Sequence, residues 1–356
     1  MNNIKKLGVT ALAGSLVAVS AQAGEMSMNG SANFTWAQKD GTEGKSIGTD
    51  KGLTVSGSGE LDNGWTFSVG TYFSDALAIS THVTTLTMGS MGTLKVGHAY
   101  GGIGSGYDEE VPQAYEQTSD AYQNSANLVG AYMDGNSVAW DLPAIDLGGL
   151  TASIDLVFSP DATDSTVNNG GQGTHDGKYG LGYGAGVTLT GFEGLTLGVY
   201  GDIRETAINK GTNDGLNDSY RDAFTGTWYA KYSAGPVSFG YQTSYFDSGL
   251  TSNTAVAAAS PATVGTSAGI FEAENMSIAF NVNDNLSISW TDTTDTYDAQ
   301  GVSTVADVDK ETDALQIAYS MGGMSIKAYR MEEKNPNYDS DAVDSGKSEI
   351  SLGLAF

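Results

Sequence analysis

Apolar residues fall at every second position along most of this chain. Leu195, Leu197, Val199 and Ile203 alternate with Thr196, Gly198, Asp202 and Arg204. Leu286, Ile288 and Trp290 alternate with Ser287, Ser289 and Thr291, and the end of the chain sets Ile350, Leu352, Leu354 and Phe356 against Glu349, Ser351, Gly353 and Ala355. A period of two places one set on each face of a strand. After Gly24 no segment shows the three-and-four spacing of an amphipathic helix, so the pattern predicts β-structure throughout.

The alternation predicts sixteen strands: 25–38, 51–61, 64–74, 79–89, 92–100, 136–142, 150–159, 179–190, 194–205, 221–233, 236–247, 270–282, 285–297, 310–321, 323–332 and 347–356. Their connections alternate between tight and long. The tight ones, such as Leu61-Asp62-Asn63-Gly64, Gly191-Phe192-Glu193-Gly194 and Asn283-Asp284-Asn285, carry residues that tolerate turn geometry. The long ones, near 39–50, 75–78, 101–135, 160–178, 206–220, 248–269, 298–309 and 333–346, are mostly polar. An even strand count, segments of about ten residues and one trim end opposite one loopy end match a transmembrane β-barrel.

The two faces agree with that architecture. In 180–189, Gly180, Gly182, Gly184 and Gly186 oppose Leu181, Tyr183, Ala185, Val187 and Leu189, as expected if small residues leave room for water and large apolar ones meet lipid. All five tryptophans, Trp36, Trp65, Trp140, Trp228 and Trp290, share the apolar phase, suited to aromatic girdles.

The amino-terminal segment stands apart. Lys5 and Lys6 precede an apolar run from Leu7 to Val19 and the small-residue site Ala21-Gln22-Ala23, the pattern of a secretory signal peptide over 1–23, with the barrel as one domain over 24–356. Composition then removes other classes. No Cys excludes disulfides, thiolate metal sites and a cysteine nucleophile. A net charge of −26 opposes nucleic-acid binding, which needs clustered cations. The 18 Tyr, 11 Phe and 5 Trp argue against disorder.

Several segments carry a resemblance. Gly89-Ser-Met-Gly-Thr-Leu-Lys-Val-Gly-His98 is similar to a turn and the fifth strand of the trimeric general porins of Gram-negative bacteria, alphaproteobacterial type. Asn136-Ser-Val-Ala-Trp-Asp-Leu-Pro143 followed by Gly148-Gly149-Leu150 resembles their sixth strand, turn and seventh strand. The terminal Phe356 behind Ile350, Leu352 and Leu354 resembles the signal read by the barrel-assembly machinery. The resemblance spans the mature chain and implies a homotrimer in outer-membrane lipid and lipopolysaccharide. It also implies a diffusion channel for small hydrophilic solutes and ions, narrowed by a third loop folded into the lumen.

That loop, 101–135, holds Asp108, Glu109, Glu110, Glu116, Asp120 and Asp134 without one Lys or Arg. The first five are the expected acidic constriction, with Glu116 and Asp120 at its tip, and they imply cation preference. The family's basic wall is thinned: His98 stands where Arg is common, and Lys51, Lys95, Arg204, Lys231 and Lys327 have lumen phase, whereas Arg330 has lipid phase. Glu60, Asp141, Asp155 and Asp202 add negative charge on the polar face, and Tyr72, Tyr200 and Tyr229 point inward. Asp292, Asp295 and Asp298 offer oxygen ligands for weak divalent-cation binding, such as loop-bound Ca2+, with solubility as the stronger reading and no other cofactor expected. The single Gly170–Asp176 echo of a calcium repeat is weak. Three histidines, His82, His98 and His175, supply no nucleophile context, so an enzyme is not expected. A substrate-specific channel and a plugged structural or adhesin barrel remain the alternatives.

Overall fold

The computed structural model describes residues 24–74, 78–98, 104–133, 135, 137–160, 162, 179–206, 220–251, 267–300 and 307–356. The expected signal peptide, Asp134, His175 and the Gly170–Asp176 segment lie outside them.

All sixteen strands form. They are β1 (Met26–Lys39), β2 (Ser46–Glu60), β3 (Thr66–Phe73), β4 (Ile79–Thr87), β5 (Thr93–His98), β6 (Ser137–Asp141), β7 (Thr151–Ser159) and β8 (Tyr179–Thr190). The second half comprises β9 (Leu195–Thr206), β10 (Ala223–Ala234), β11 (Val237–Asp247), β12 (Ile270–Asn283), β13 (Leu286–Asp298), β14 (Val308–Met321), β15 (Met324–Lys334) and β16 (Ser345–Ala355). After β6 the chain breaks at Leu142-Pro143-Ala144 and resumes as the pair Ile145–Asp146 on the same neighbour, β7. Pro143 has no N–H for the ladder, which accounts for the break.

Every strand pairs antiparallel with its sequence neighbour, and β1 pairs with β16 from Ser31↔Ala355 to Lys39↔Lys347. The barrel is therefore closed and leaves no sheet edge. Phe356 seals it: its N–H donates to the Gly30 carbonyl at 3.0 Å and its carbonyl accepts from the Gly30 N–H at 2.8 Å. β2 begins at Ser46, five residues earlier than the alternation predicts, because Ala37↔Ser46 and Trp36↔Ile47 extend the β1–β2 ladder and shorten the first long connection. At the trim end, Gly64 takes φ 80, a left-handed conformation that suits glycine, while the Leu61 N–H donates to the Trp65 carbonyl at 2.7 Å.

The faces are inverted relative to a water-soluble protein. Val199, Phe224, Trp228, Leu315 and Ile317 are among the most exposed large side chains, all on the outer phase of their strands. The buried side chains are instead Tyr107, Met133, Tyr200, Tyr229, Gln242, Phe271, Gln316 and their neighbours, packed inside the barrel. No helix among the described residues is long and apolar enough to cross a membrane; the strands present the apolar band.

Candidate functional site: the third loop against the inner wall

The segment 104–133 is built mainly from short turns. A one-turn helix, α1 (Thr118–Ala121), is capped reciprocally at its start, with the Gln117 N–H donating to the Asp120 carboxylate at 2.9 Å. Short 3₁₀ turns lie at Gly104–Gly106, Ala126–Leu128 and Ala131–Met133.

This loop lies on the inner wall as a ribbon that runs out and returns. On the outward run the Tyr107 hydroxyl donates to Asp155 of β7 at 2.8 Å, and its ring packs on Tyr200 and Tyr229 at 5.2 and 6.1 Å. Glu110 pairs with Lys231 of β10. The Ala114 N–H donates to Ser289 Oγ of β13 at 2.9 Å, the Tyr115 N–H to Gln316 Oε1 of β14 at 2.7 Å, and the Tyr115 hydroxyl to Glu349 of β16 at 3.0 Å. On the return, Thr118 meets Thr293 at 2.9 Å, the Ser125 N–H donates to Asp295 at 2.6 Å, and the Gly130 N–H to Thr225 Oγ1 at 3.0 Å. These anchors lie on β7–β16, so the inner faces of β1–β5 form the opposing wall.

The wall is shaped to accept the ribbon. A Cβ at Gly186 would stand 2.5 Å from the Tyr107 ring, one at Gly182 would meet Met133, and one at Gly240 would meet Pro112. The glycine column expected to make room for water thus makes room for the loop. Gln242 and Gln316, fully buried on the inner phase, bond loop backbone with both ends of their amides: Gln242 Nε2 to the Tyr107 carbonyl at 2.7 Å, and Gln316 Nε2 to the Glu116 carbonyl at 2.6 Å. Buried peptide groups need such partners.

The five loop carboxylates divide. Glu109 is 3% exposed and accepts from Thr118 at 2.8 Å, Asn124 at 3.1 Å and the Ser119 N–H at 3.3 Å. It is a structural centre of the loop and does not line a passage, which corrects its expected placement; burial raises its pKa. Glu110 is half-buried against Lys231. Asp120 is exposed at the turning point of the ribbon, with Glu116 half-buried beside it. Burial, then the nearby Asp120 carboxyl, push Glu116 up to about 7. Burial and the neighbouring Glu109 push half-buried Asp108 up to about 8.

Among the wall residues, Lys95 faces inward and pairs with Asp141 at 2.6 Å on the opposing wall. Lys327 places its ammonium 5.1 Å from the Tyr115 ring. Arg204 lies between the Tyr132 and Tyr179 rings, 3.7 and 3.6 Å from their centroids, so it clamps the returning loop. Two expected wall residues are on the other face. Lys51 pairs in register with Ala32, in phase with Leu53 and Val55 and beside Phe34 and Trp36. His98 continues the phase of Leu94 and Val96, which pair with Trp140 and Val138, and its ring is 6.0 Å from His82. Arg330 does face outward, as its phase implies, and grips Asp40 with guanidinium contacts at 3.1 and 2.5 Å. Tyr72 is inward, its hydroxyl beside Gly52.

The divalent-cation reading of Asp292, Asp295 and Asp298 fails on phase. All three lie in β13; Asp292 and Asp298 share the outer phase of Trp290, whereas Asp295 is inward, fully buried and taken up by Ser125 and Tyr338. No cluster of potential metal ligands occurs among the described residues. Gln242, Gln316, Asp295 and Lys310 are the loop supports that sequence reasoning missed; their place on the inner phase of their strands is the one signal that marks them.

A closed sixteen-stranded barrel, apolar outside and carrying an inward loop, defines a membrane-channel barrel. The chain belongs to the Gram-negative porin family, whose family model matches residues 8–342. It is accordingly an outer-membrane diffusion channel. In structure it resembles OmpF of Salmonella typhi (12% identity, 94% of this chain and 98% of that one, TM-score 0.64). It also resembles OmpT of Vibrio cholerae, solved in a trimer form (11% identity, 94% and 100%, TM-score 0.61). A third likeness is an anion-selective porin from Comamonas acidovorans (12% identity, 93% and 99%, TM-score 0.58). No protein of curated function matches the chain in sequence.

Proposed function

We propose that this porin passes small hydrophilic solutes and ions by diffusion and prefers cations. The observation that carries the reading is the exposed Asp120, with half-buried Glu116 beside it, at the turning point of a loop that contains no Lys or Arg. Carboxylates in a confined passage concentrate cations and repel anions. The cations nearest the loop are already engaged: Lys231 with Glu110, Lys310 with the Gln123 carbonyl, Arg204 with two tyrosine rings and Lys327 with the Tyr115 ring. Because an anion-selective porin has the same fold, selectivity rests on such side chains and not on the barrel. The test is the reversal potential of the protein in a planar bilayer under a KCl gradient. A potential of the sign set by K+ is expected; the opposite sign overturns cation preference and leaves the channel intact.

The chain acts as a homotrimer in this reading, exported by the 1–23 segment, inserted by the barrel-assembly machinery and surrounded by lipid and lipopolysaccharide. The outer phase of β2–β5 mixes Lys51, Thr71, His82, Thr84 and His98 with Leu53, Val55, Leu86 and Leu94, a surface suited to a subunit contact. Cross-linking in membranes checks it, and a monomer alone counts against the trimer.

A further inference from the structure

At the loop end of the barrel, the ends of β1, β14, β15 and β16 and the turn Pro336–Tyr338 enclose a cavity of about 580 Å³. Lys39, Lys310 and Lys347 all line it, in a chain with only 16 basic residues and a net charge of −26. Lys39 and Lys347 are direct partners in the β1–β16 register. Both face inward, since Lys347 is in phase with Glu349, which reaches the loop at Tyr115. Like charges directly opposite on neighbouring strands repel.

The surrounding acids relieve this only in part. Asp40 is held by Arg330 at 3.1 and 2.5 Å, and Asp344 lies in the field of Lys334. Glu333, itself buried, faces Lys310 and Lys39 together. Neither Lys39 nor Lys347 forms an ion pair among the described residues; the ammonium of Lys347 sits 5.6 Å from the Tyr329 ring. Lys310 donates to the Gln123 carbonyl and is balanced by Asp295, its direct partner on β13, so the open charge at the cavity belongs to Lys39 and Lys347.

A second observation concerns the cavity's wall. Asn335, Asn337 and Tyr338 hold φ of 49, 57 and 57°, a left-handed backbone that is costly for a side chain as large as Tyr. The conformation is held by the Tyr338 hydroxyl donating to Asp295 at 2.8 Å and by Asn335 Nδ2 donating to the Asp309 carbonyl at 2.7 Å. Backbone strain maintained in this way marks places where geometry serves binding.

We propose that this cavity is a vestibule subsite for a small organic carboxylate, whose oxygens bridge the ammonium groups of Lys39 and Lys347. Lysine pairs bind oxyanions as point charges. Tyr122, Tyr338 and Val343 contribute carbon to the wall, which an organic anion uses and an inorganic one does not. The site extends the channel reading: it gives an anionic solute a foothold ahead of an acidic constriction.

The test is titration of the detergent-solubilised full chain with 13C-labelled succinate, followed by NMR line broadening. Saturable binding is expected, weakened at least tenfold in Lys39→Gln/Lys347→Gln and kept within threefold in Lys39→Arg/Lys347→Arg, with circular dichroism checking each barrel. The neutral diamide of succinate should not bind. Absence of saturable binding in the unaltered protein, equal binding by the glutamine variant, or equal binding of the diamide overturns the proposal. Because binding is read without current, its failure is separate from any failure of conductance.

Discussion

The inner wall has two halves. Over β7–β16 it is clad by the third loop, and its inward residues are glycines, buried amides and hydroxyls that seat that loop. Over β1–β5 it carries features such as Tyr72 and the half-exposed Lys95 paired with Asp141 at 2.6 Å. The same strand alternation therefore serves two purposes. Where the wall meets a loop, its polar face becomes an interior packed like any protein core; where it faces the opposing loop, it stays a solvated surface. Charges in the clad half are spent on holding the chain, as Glu109, Asp295 and Arg204 show.

The sharpest way to break the contrast is to deny the loop its seat. Gly186→Phe places a ring where a Cβ alone already meets Tyr107 at 2.5 Å, so the loop must lift. We expect single-channel conductance to rise severalfold and a larger sugar to enter in liposome swelling, with a stability loss of about 1–3 kcal/mol, typical of overpacking. An unchanged conductance would mean the loop does not narrow the passage.

Next in size is removal of the carboxylates at the turning point. Asp120→Asn with Glu116→Gln should lower the cation-to-anion permeability ratio severalfold in reversal-potential measurements. Glu109→Gln, buried in the clad half, should instead lower the melting temperature while leaving that ratio nearly unchanged.

A smaller effect follows from pH. Glu116 and Asp108, raised to about 7 and about 8, are neutral below those values and charged above them. Cation preference should therefore grow as pH rises from 6 to 9, and fall as it drops. Glu116→Gln should remove the lower part of the rise. A ratio flat across that range at low salt, where screening is weakest, contradicts the assignment.

The smallest effect is expected from the outer face. Lys51→Gln and His98→Asn should leave selectivity unchanged, since both residues share the phase of lipid-side neighbours. A clear shift in reversal potential with either variant would place that residue inside.

Strand number and turn positions were legible because both are local: alternation and turn residues are read within ten positions. Facing was legible where large apolar residues set the phase and poorly legible elsewhere. Around Lys51 both neighbours, Asp50 and Gly52, are as polar or small as a lumen residue, so nothing nearby signals the face. Leu94, Val96 and His98 do share a phase; the family pattern pulls His98 inward, and the local rule proves the better guide. The loop's seat was not legible because it depends on distant partners. Asp295 reads as one of several acidic residues until Ser125, 170 positions away, closes on it.

The glycines of the clad half have a consequence for redesign of the pore. Gly182, Gly186 and Gly240 hold the negative imprint of Met133, Tyr107 and Pro112, so the barrel is a mould cast for one particular insert. A loop transplanted from another porin of the same fold would meet a surface cut for different side chains. Exchange of loops between such proteins should therefore succeed only when the matching strip of wall travels with them, which makes loop and wall, not loop alone, the unit of inheritance and of engineering.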